Sequence, residues 1–299
     1  MENKKLLPPM GKVDVILDTD AFNEIDDQFA ISYLLKNDDR LNCLALCAAP
    51  FFNKRSTSPK DGMEKSYTEI LKLLKLLGKE ETPVFKGSDT YLPDEQTPVI
   101  SPAAEYIAKC ASEHTSENPL YVVAIGAITN VASAMLIAPE AIKNVVIVWL
   151  GGNARQFNST REFNMIQDIA AARVAMSCGA SFVQLPCVGV VELFRTNEPE
   201  LKEWLYNTTP IAHYLAENTV KYCNPNGEKR VWSKVIWDVT AVAWLINDDN
   251  RFMSYEIVDT VLPNYDNHLE AQPINEKMCY VTRIFRDELM ADLFTKLCE

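Results

Sequence analysis

Histidine is scarce in this chain: three of 299 residues, His114, His213 and His268. His114 falls near a predicted helix end, His213 within a helix and His268 in a polar loop, and none stands beside a recognisable motif, so each reads as structural or solvated. No Ser-His-Asp arrangement and no glycine-rich phosphate loop is evident, which removes the commonest hydrolase and nucleotide-binding designs. Basic charge is also short. Lys and Arg number 29 against 41 Asp and Glu, a net of 29 − 41 = −12, which argues against the basic face that nucleic-acid binding needs. Eight cysteines are scattered with no CxxC pair, as expected for buried thiols in a reducing compartment. Nowhere do about 18 uninterrupted apolar residues occur, so no membrane span is expected. Residues 1–12 carry positive charge, but Pro8-Pro9 interrupts them and no apolar stretch follows, which predicts no signal peptide and a cytoplasmic protein.

What the chain does have is alternation. Short β-branched runs at 13–17, 41–47, 83–85, 120–125, 144–150 and 182–185 take turns with amphipathic stretches at 26–36, 62–77, 102–113, 130–137 and 169–178. Runs such as Val145-Val146-Ile147-Val148 are apolar throughout, the mark of central strands covered on both faces. The reading is an α/β fold: an open, mostly parallel sheet flanked by helices on both faces. Extra C-terminal elements follow, with helices near 198–206, 211–222, 235–246 and 286–297 and strands near 256–262 and 279–284. No repeat, low-complexity tract or separating linker is present, so residues 1–299 are expected to form a single domain.

Chemistry concentrates directly after the first strand. Residues 18–27 place five carboxylates, Asp18, Asp20, Glu24, Asp26 and Asp27, in ten positions. Like charges this close oppose folding unless neutralised, and a hard cation with oxygen ligands is the natural neutraliser. The carboxyl end of a parallel strand is also where ligands bind in such sheets. The plain alternative is an acidic surface loop leading into a helix. A second cation-dependent reading is a haloacid-dehalogenase-type magnesium phosphatase, with Asp18 as nucleophile and Asp20 as acid/base. That scheme needs a later acidic pair at a strand end, whereas Asp248-Asp249 follows a predicted helix, and it gives Asp26-Asp27 no role.

Beyond the cluster, four blocks recur in order: Asn53 after the second strand; Ala124-Ile125-Gly126-Ala127-Ile128-Thr129-Asn130 after a buried strand; Leu150-Gly151-Gly152-Asn153 leading to Glu162-Phe163-Asn164 and Asp168; and Trp237-Asp238 opening a late helix. With the aspartates, which resemble a D-x-D-P-G-x-D-D signature, the chain resembles the nucleoside hydrolase family over most of its length. The resemblance implies calcium held by Asp20, Asp27, Asp238 and the backbone carbonyl of Ile125, with Asp20 as general base toward a water and Asp18 orienting the site from behind. It further implies ribose contacts from Asp26 and Asn53 toward the 2′ side, Asn164 toward the 3′ hydroxyl and Glu162 toward the 5′ hydroxyl. The implied partner is a small-molecule nucleoside, and the family's habit implies a homodimer or homotetramer. An acidic site suits a cationic, oxocarbenium-like transition state and would repel 5′-phosphates.

Two departures bear on that expectation. Many family members carry a His before the last metal Asp, where this chain has Trp237, as in relatives that prefer purines. There the indole would stack on the departing base, ease its protonation and so take a catalytic share. Trp232 and Trp244 read instead as core. A nucleoside-binding protein with little catalysis is the rival that loss of the His raises. The second departure is the opening loop, where five residues, 21–25, separate Asp20 from Asp26 instead of three, and the Pro-Gly is missing. Asn23 either enters the pocket or shapes the turn; Glu24 is expected to face solvent. Tyr91 offers either a second stacking face or an ordinary surface tyrosine.

Overall fold

The β-branched runs become an eight-stranded sheet in a computed structural model that describes residues 5–157 and 159–299. The strands are β1 (Val13–Thr19), β2 (Leu41–Ala48), β3 (Val84–Lys86), β4 (Leu120–Ala124), β5 (Val145–Leu150) and β6 (Ser181–Leu185), followed by β9 (Met253–Asp259) and β10 (Lys277–Ile284). Their spatial order is β3-β2-β1-β4-β5-β6-β10-β9, and every neighbouring pair is parallel except β10 with β9. Two short strands, β7 (Arg195–Thr196) and β8 (Lys234–Val235), pair antiparallel apart from the main sheet.

Each strand splits its side chains between two cores, the period-two geometry of a sheet covered on both sides. Val15 and Leu17 of β1 and Val146 and Val148 of β5 join one core, with α1 (Asp26–Lys36), α2 (Pro59–Leu77), α8 (Pro210–Cys223), α9 (Val239–Trp244) and α10 (Arg286–Cys298). Ile16, Val145 and Ile147 face the other, with α3 (Pro102–Glu113), α4 (Thr129–Ile137) and α6 (Ile169–Ser177). Two further helices, α5 (Phe163–Gln167) and α7 (Glu198–Trp204), complete the set. Helix starts are set locally: Ser58 and Ser101 cap α2 and α3 with their hydroxyls and Pro follows each, so α2 begins at Pro59, ahead of the predicted Gly62.

From β1 the chain steps outward through β2 and β3, then returns to β4 on the other side of β1 and continues through β5 and β6. The reversal opens a crevice at the carboxyl ends of β1 and β4, where the opening aspartates emerge. The region predicted as a helix at 235–246 is instead β8 followed by α9 from Val239, because Lys234 and Val235 pair with Thr196 and Arg195 before the helix starts. All eight cysteines are free, and no described helix is long and apolar enough to cross a membrane.

Candidate active site

The crevice is a cleft of about 340 Å³. Its floor is acidic, with Asp20, Asp26, Asp27 and Asp238, joined by Asn23, Asn53 and Ile125. Its rim carries Glu162, Phe163, Asn164, Trp237, Arg161 and Val188. Of the sequence-predicted site residues, all but Asp18 line this one cleft, and Asp18 lies directly behind it.

Asp18 and Asp20 are 0 % and 1 % exposed, and each keeps one oxygen, Oδ2, without a hydrogen-bond partner among the described residues. Asn130 donates Nδ2 to Asp18 Oδ1 at 2.8 Å, and the peptide N–H of Ile125 donates to the Asp18 carbonyl at 2.9 Å. Thr19 donates its hydroxyl to Asp27 Oδ1 at 2.6 Å. Burial pushes the Asp18 carboxyl up to about 7. Burial and then the neighbouring Asp26 charge do the same to Asp27, also to about 7. Asp20 and Asp238 are driven well above the usual carboxylate range, first by burial and then by the adjacent aspartates. A buried unpaired carboxylate is costly, so protons or a cation must accompany these groups.

The donor set fits a hard cation. Ligand oxygens of Asp26, Asp27 and Asp238 lie within 4.8 Å of one another, and Asp20 adjoins Asp27 with its free oxygen buried. The Ile125 carbonyl accepts from Asn164 Nδ2 at 3.2 Å and retains a second lone pair. Asn164 also donates to the Leu150 carbonyl at 3.0 Å, so its amide is locked between two strand ends. Gly126 permits the close approach of β4 to the cluster: a Cβ there would sit 3.1 Å from Asp20 Cγ.

The longer opening loop is tied down residue by residue. Asn23 is buried and accepts Asn53 Nδ2 at 2.6 Å, while its own peptide N–H closes a turn onto the Asp20 carbonyl at 2.7 Å. Asn23 thus lines the cleft and also closes the turn. Glu24, expected to face solvent, keeps 39 % of its side chain exposed but also lines the cleft and pairs with Lys234, which also holds Asp26 Oδ1 at 3.0 Å. Sequence reasoning missed Lys234 because its partners lie 210 and 208 positions away.

Glu162 caps α5, accepting the peptide N–H groups of Gly152, Asn164 and Met165 at 2.8, 2.9 and 3.0 Å. These donors spread its charge, although burial still raises its pKa. Trp237 is half-buried, packs on the larger core and presents to the cleft. Trp244 is fully buried and Trp232 partly so. Tyr91 donates its hydroxyl to Gln167 Oε1 and does not line the cleft; Phe163, next to Glu162, does. Phe163 and Arg161 reach the rim from the start of α5 and the residues just before it, and Val188 reaches it from the turn after β6.

A strand-end cluster of buried carboxylates at a topological switch, with amide and aromatic side chains on its rim, defines a small-molecule site of the α/β class. A profile of the inosine-uridine preferring nucleoside hydrolase family matches residues 15–282, and the chain belongs to that family. It is 29% identical to a probable uridine nucleosidase 2 of Arabidopsis thaliana over 195 residues, 56% of this chain and 57% of that one. It is also 29% identical to a probable ribonucleoside hydrolase of Dictyostelium discoideum over 99 residues, 32% of this chain. The chain thus spans 29% and 57% of the lengths of these two curated relatives. The solved structure of a plant nucleoside hydrolase superposes with a TM-score of 0.76 at 22% identity, covering 96% of this chain and 99% of that one, so the fold is shared.

Proposed function

We propose that the protein is a calcium-dependent N-ribohydrolase that splits purine ribonucleosides, or a related N-riboside, into ribose and free base. The observation that carries the reading is the buried, uncompensated oxygen of Asp20 inside a cluster of aspartates at the switch point. Asp20, Asp27, Asp238 and the Ile125 carbonyl would hold the ion. When bound, calcium supplies positive charge that offsets the aspartates, orients sugar hydroxyls and makes a nearby water more acidic.

The remaining steps belong to the chain. Asp20 takes the proton of the attacking water as its oxygen bonds to the anomeric carbon and the C–N bond breaks, its electron pair leaving with the base. Asp18, fixed by Asn130, holds Asp20 and its strand end from behind. Asp26 and Asn53 meet the 2′ side of the ribose, with Asn164 toward the 3′ hydroxyl and Glu162 toward the 5′ hydroxyl, and Asn23 lines the pocket beside Asn53. The surrounding carboxylates stabilise the cationic ribosyl group. Trp237 stacks on the base, and its π-face favours a base that takes a proton from solvent water as the C–N bond breaks. Assembly into a homodimer or homotetramer is carried by family resemblance and is read by sedimentation.

The test is release of free base from a panel of nucleosides, with Asp20→Asn as the control. Turnover of purine ribosides that disappears in the variant supports the reading. Tight binding without turnover on every N-riboside would show a binding protein, and phosphate release from phosphoesters would restore the phosphatase scheme.

A further inference from the structure

We propose that Lys234 is a specificity-determining cation of the metal site: its ammonium engages Asp26 and withholds it from the ion bound by the neighbouring aspartates. The inference rests on the metal reading above. Geometry alone groups Asp26 with Asp27 and Asp238, whose oxygens lie within 4.8 Å of one another. Lys234 sets a fixed positive charge directly against this trio, on Asp26.

Lysine is among the residues least often buried, yet Lys234 is 8 % exposed, and its Nζ lies 3.0 Å from Asp26 Oδ1 and in contact with Glu24. A buried ammonium is stable when its partners are in place, and here both are acidic residues of the site itself. Its backbone cannot withdraw freely, because Lys234 pairs with Thr196 in the β7–β8 ladder three residues before Trp237. On the other side Glu24 is steadied by the Tyr222 hydroxyl at 3.3 Å. Glu24 belongs to the loop that is two residues longer than the family pattern. The insertion and the lysine therefore act as one device: the longer loop delivers a carboxylate that helps hold the ammonium against Asp26. Asp26 then faces ribose as an oriented acceptor.

Calorimetric titration of the metal-free full chain with calcium chloride tests this without any assay of turnover. Wild type should take one equivalent. K234M should bind calcium about tenfold more tightly, since a fixed positive charge has left the site and Asp26 is released toward the ion. K234R should stay within about threefold of wild type, because the charge is retained. Asp26→Asn should change the first affinity by only a few-fold, whereas Asp27→Asn should weaken it by about 100-fold. A lysine with a merely structural role predicts the opposite sign, weaker binding in K234M. Unchanged or weaker binding in K234M, or an Asp26→Asn loss equal to that of Asp27→Asn, would overturn the inference. If K234M fails to fold, the Asp26 and Asp27 variants decide it. Wild type that binds no calcium would overturn the metal reading and this inference together; wild type that binds, with K234M unaltered, overturns this inference alone.

Discussion

The chain contains three Asp-Asp pairs, and two of them, Asp26-Asp27 and Asp248-Asp249, have opposite fates. Asp26-Asp27 is buried at the carboxyl ends of the strands, and both pKa values are raised, chiefly by burial. Asp248-Asp249 lies at the other end of the sheet, beside Arg40 at the entry to β2; Asp248 takes both Arg40 Nη groups, at 2.5 and 3.1 Å, and its pKa is lowered, first by those hydrogen bonds. Asp249 sits exposed in a turn at φ 52°. The dipeptide is therefore no signature by itself. A pair with a matched guanidinium in partial solvent is a surface fixture, whereas a pair buried beside further unmatched acids demands a ligand. The same contrast removes the phosphatase scheme's acidic pair, since Asp248 is far from the cleft and already has its partner.

The comparison can be broken most sharply at turnover. Asp20→Asn should lower kcat by about 1000-fold, the scale of losing a general base, while Asp248→Asn should leave steady-state kinetics within about twofold. Comparable losses in both would erase the distinction. Chelation of calcium should abolish turnover of wild type and lower its melting temperature, and restored calcium should recover both; unchanged turnover in a chelated sample would dismiss the metal role. Trp237→Ala should lower kcat on purine ribosides by about tenfold with a smaller change in affinity for ribose, and an unaltered purine rate would remove stacking from the mechanism.

Stability should separate the two pairs by sign. Asp18 and Asp27, at about 7 when folded against 3.8 in the ordinary state, favour their protonated forms in the folded protein. Their stabilising contribution is full below the unfolded value and is lost as pH rises through about 7. Metal-free protein should accordingly melt at a higher temperature near about pH 5.5 than near about pH 8, and calcium should stabilise most at the higher pH. Asp248 behaves in reverse: its lowered pKa contributes stability above the unfolded value that fades as pH falls. Asp248→Asn has the smallest effect, at most about 1 kcal/mol for a partly exposed pair, measured by denaturant unfolding.

Much of this architecture is legible in the residues alone. The buried strands announce themselves as unbroken β-branched runs, and α3 runs from Pro102 to Glu113 as predicted because Ser101 and Pro102 mark its start locally. The aspartate-rich floor is equally visible, being contiguous at 18–27 apart from Asn53 and Asp238. What escaped is short or long-range. The five residues of α5 and the two each of β7 and β8 are too few to show a period. The strand predicted at 256–262 runs from Met253 to Asp259, since it is an antiparallel edge whose limits are set by its pairing with β10. Glu24 reads as a purely solvent-facing residue because nothing near it in sequence offers a cation; the lysine that pairs with it arrives through a ladder formed late in the chain.

Gly126 has a use that the cluster's charges do not. A methyl group there would press on Asp20 at 3.1 Å, tighter than ordinary contact but within a shift of a few tenths of an ångström. Gly126→Ala is thus a wedge of one carbon, able to displace Asp20, the proposed general base, without adding or deleting a charge. Graded substitution at this single point would read how much positional error the reaction tolerates, turning a backbone clearance into a ruler for catalysis.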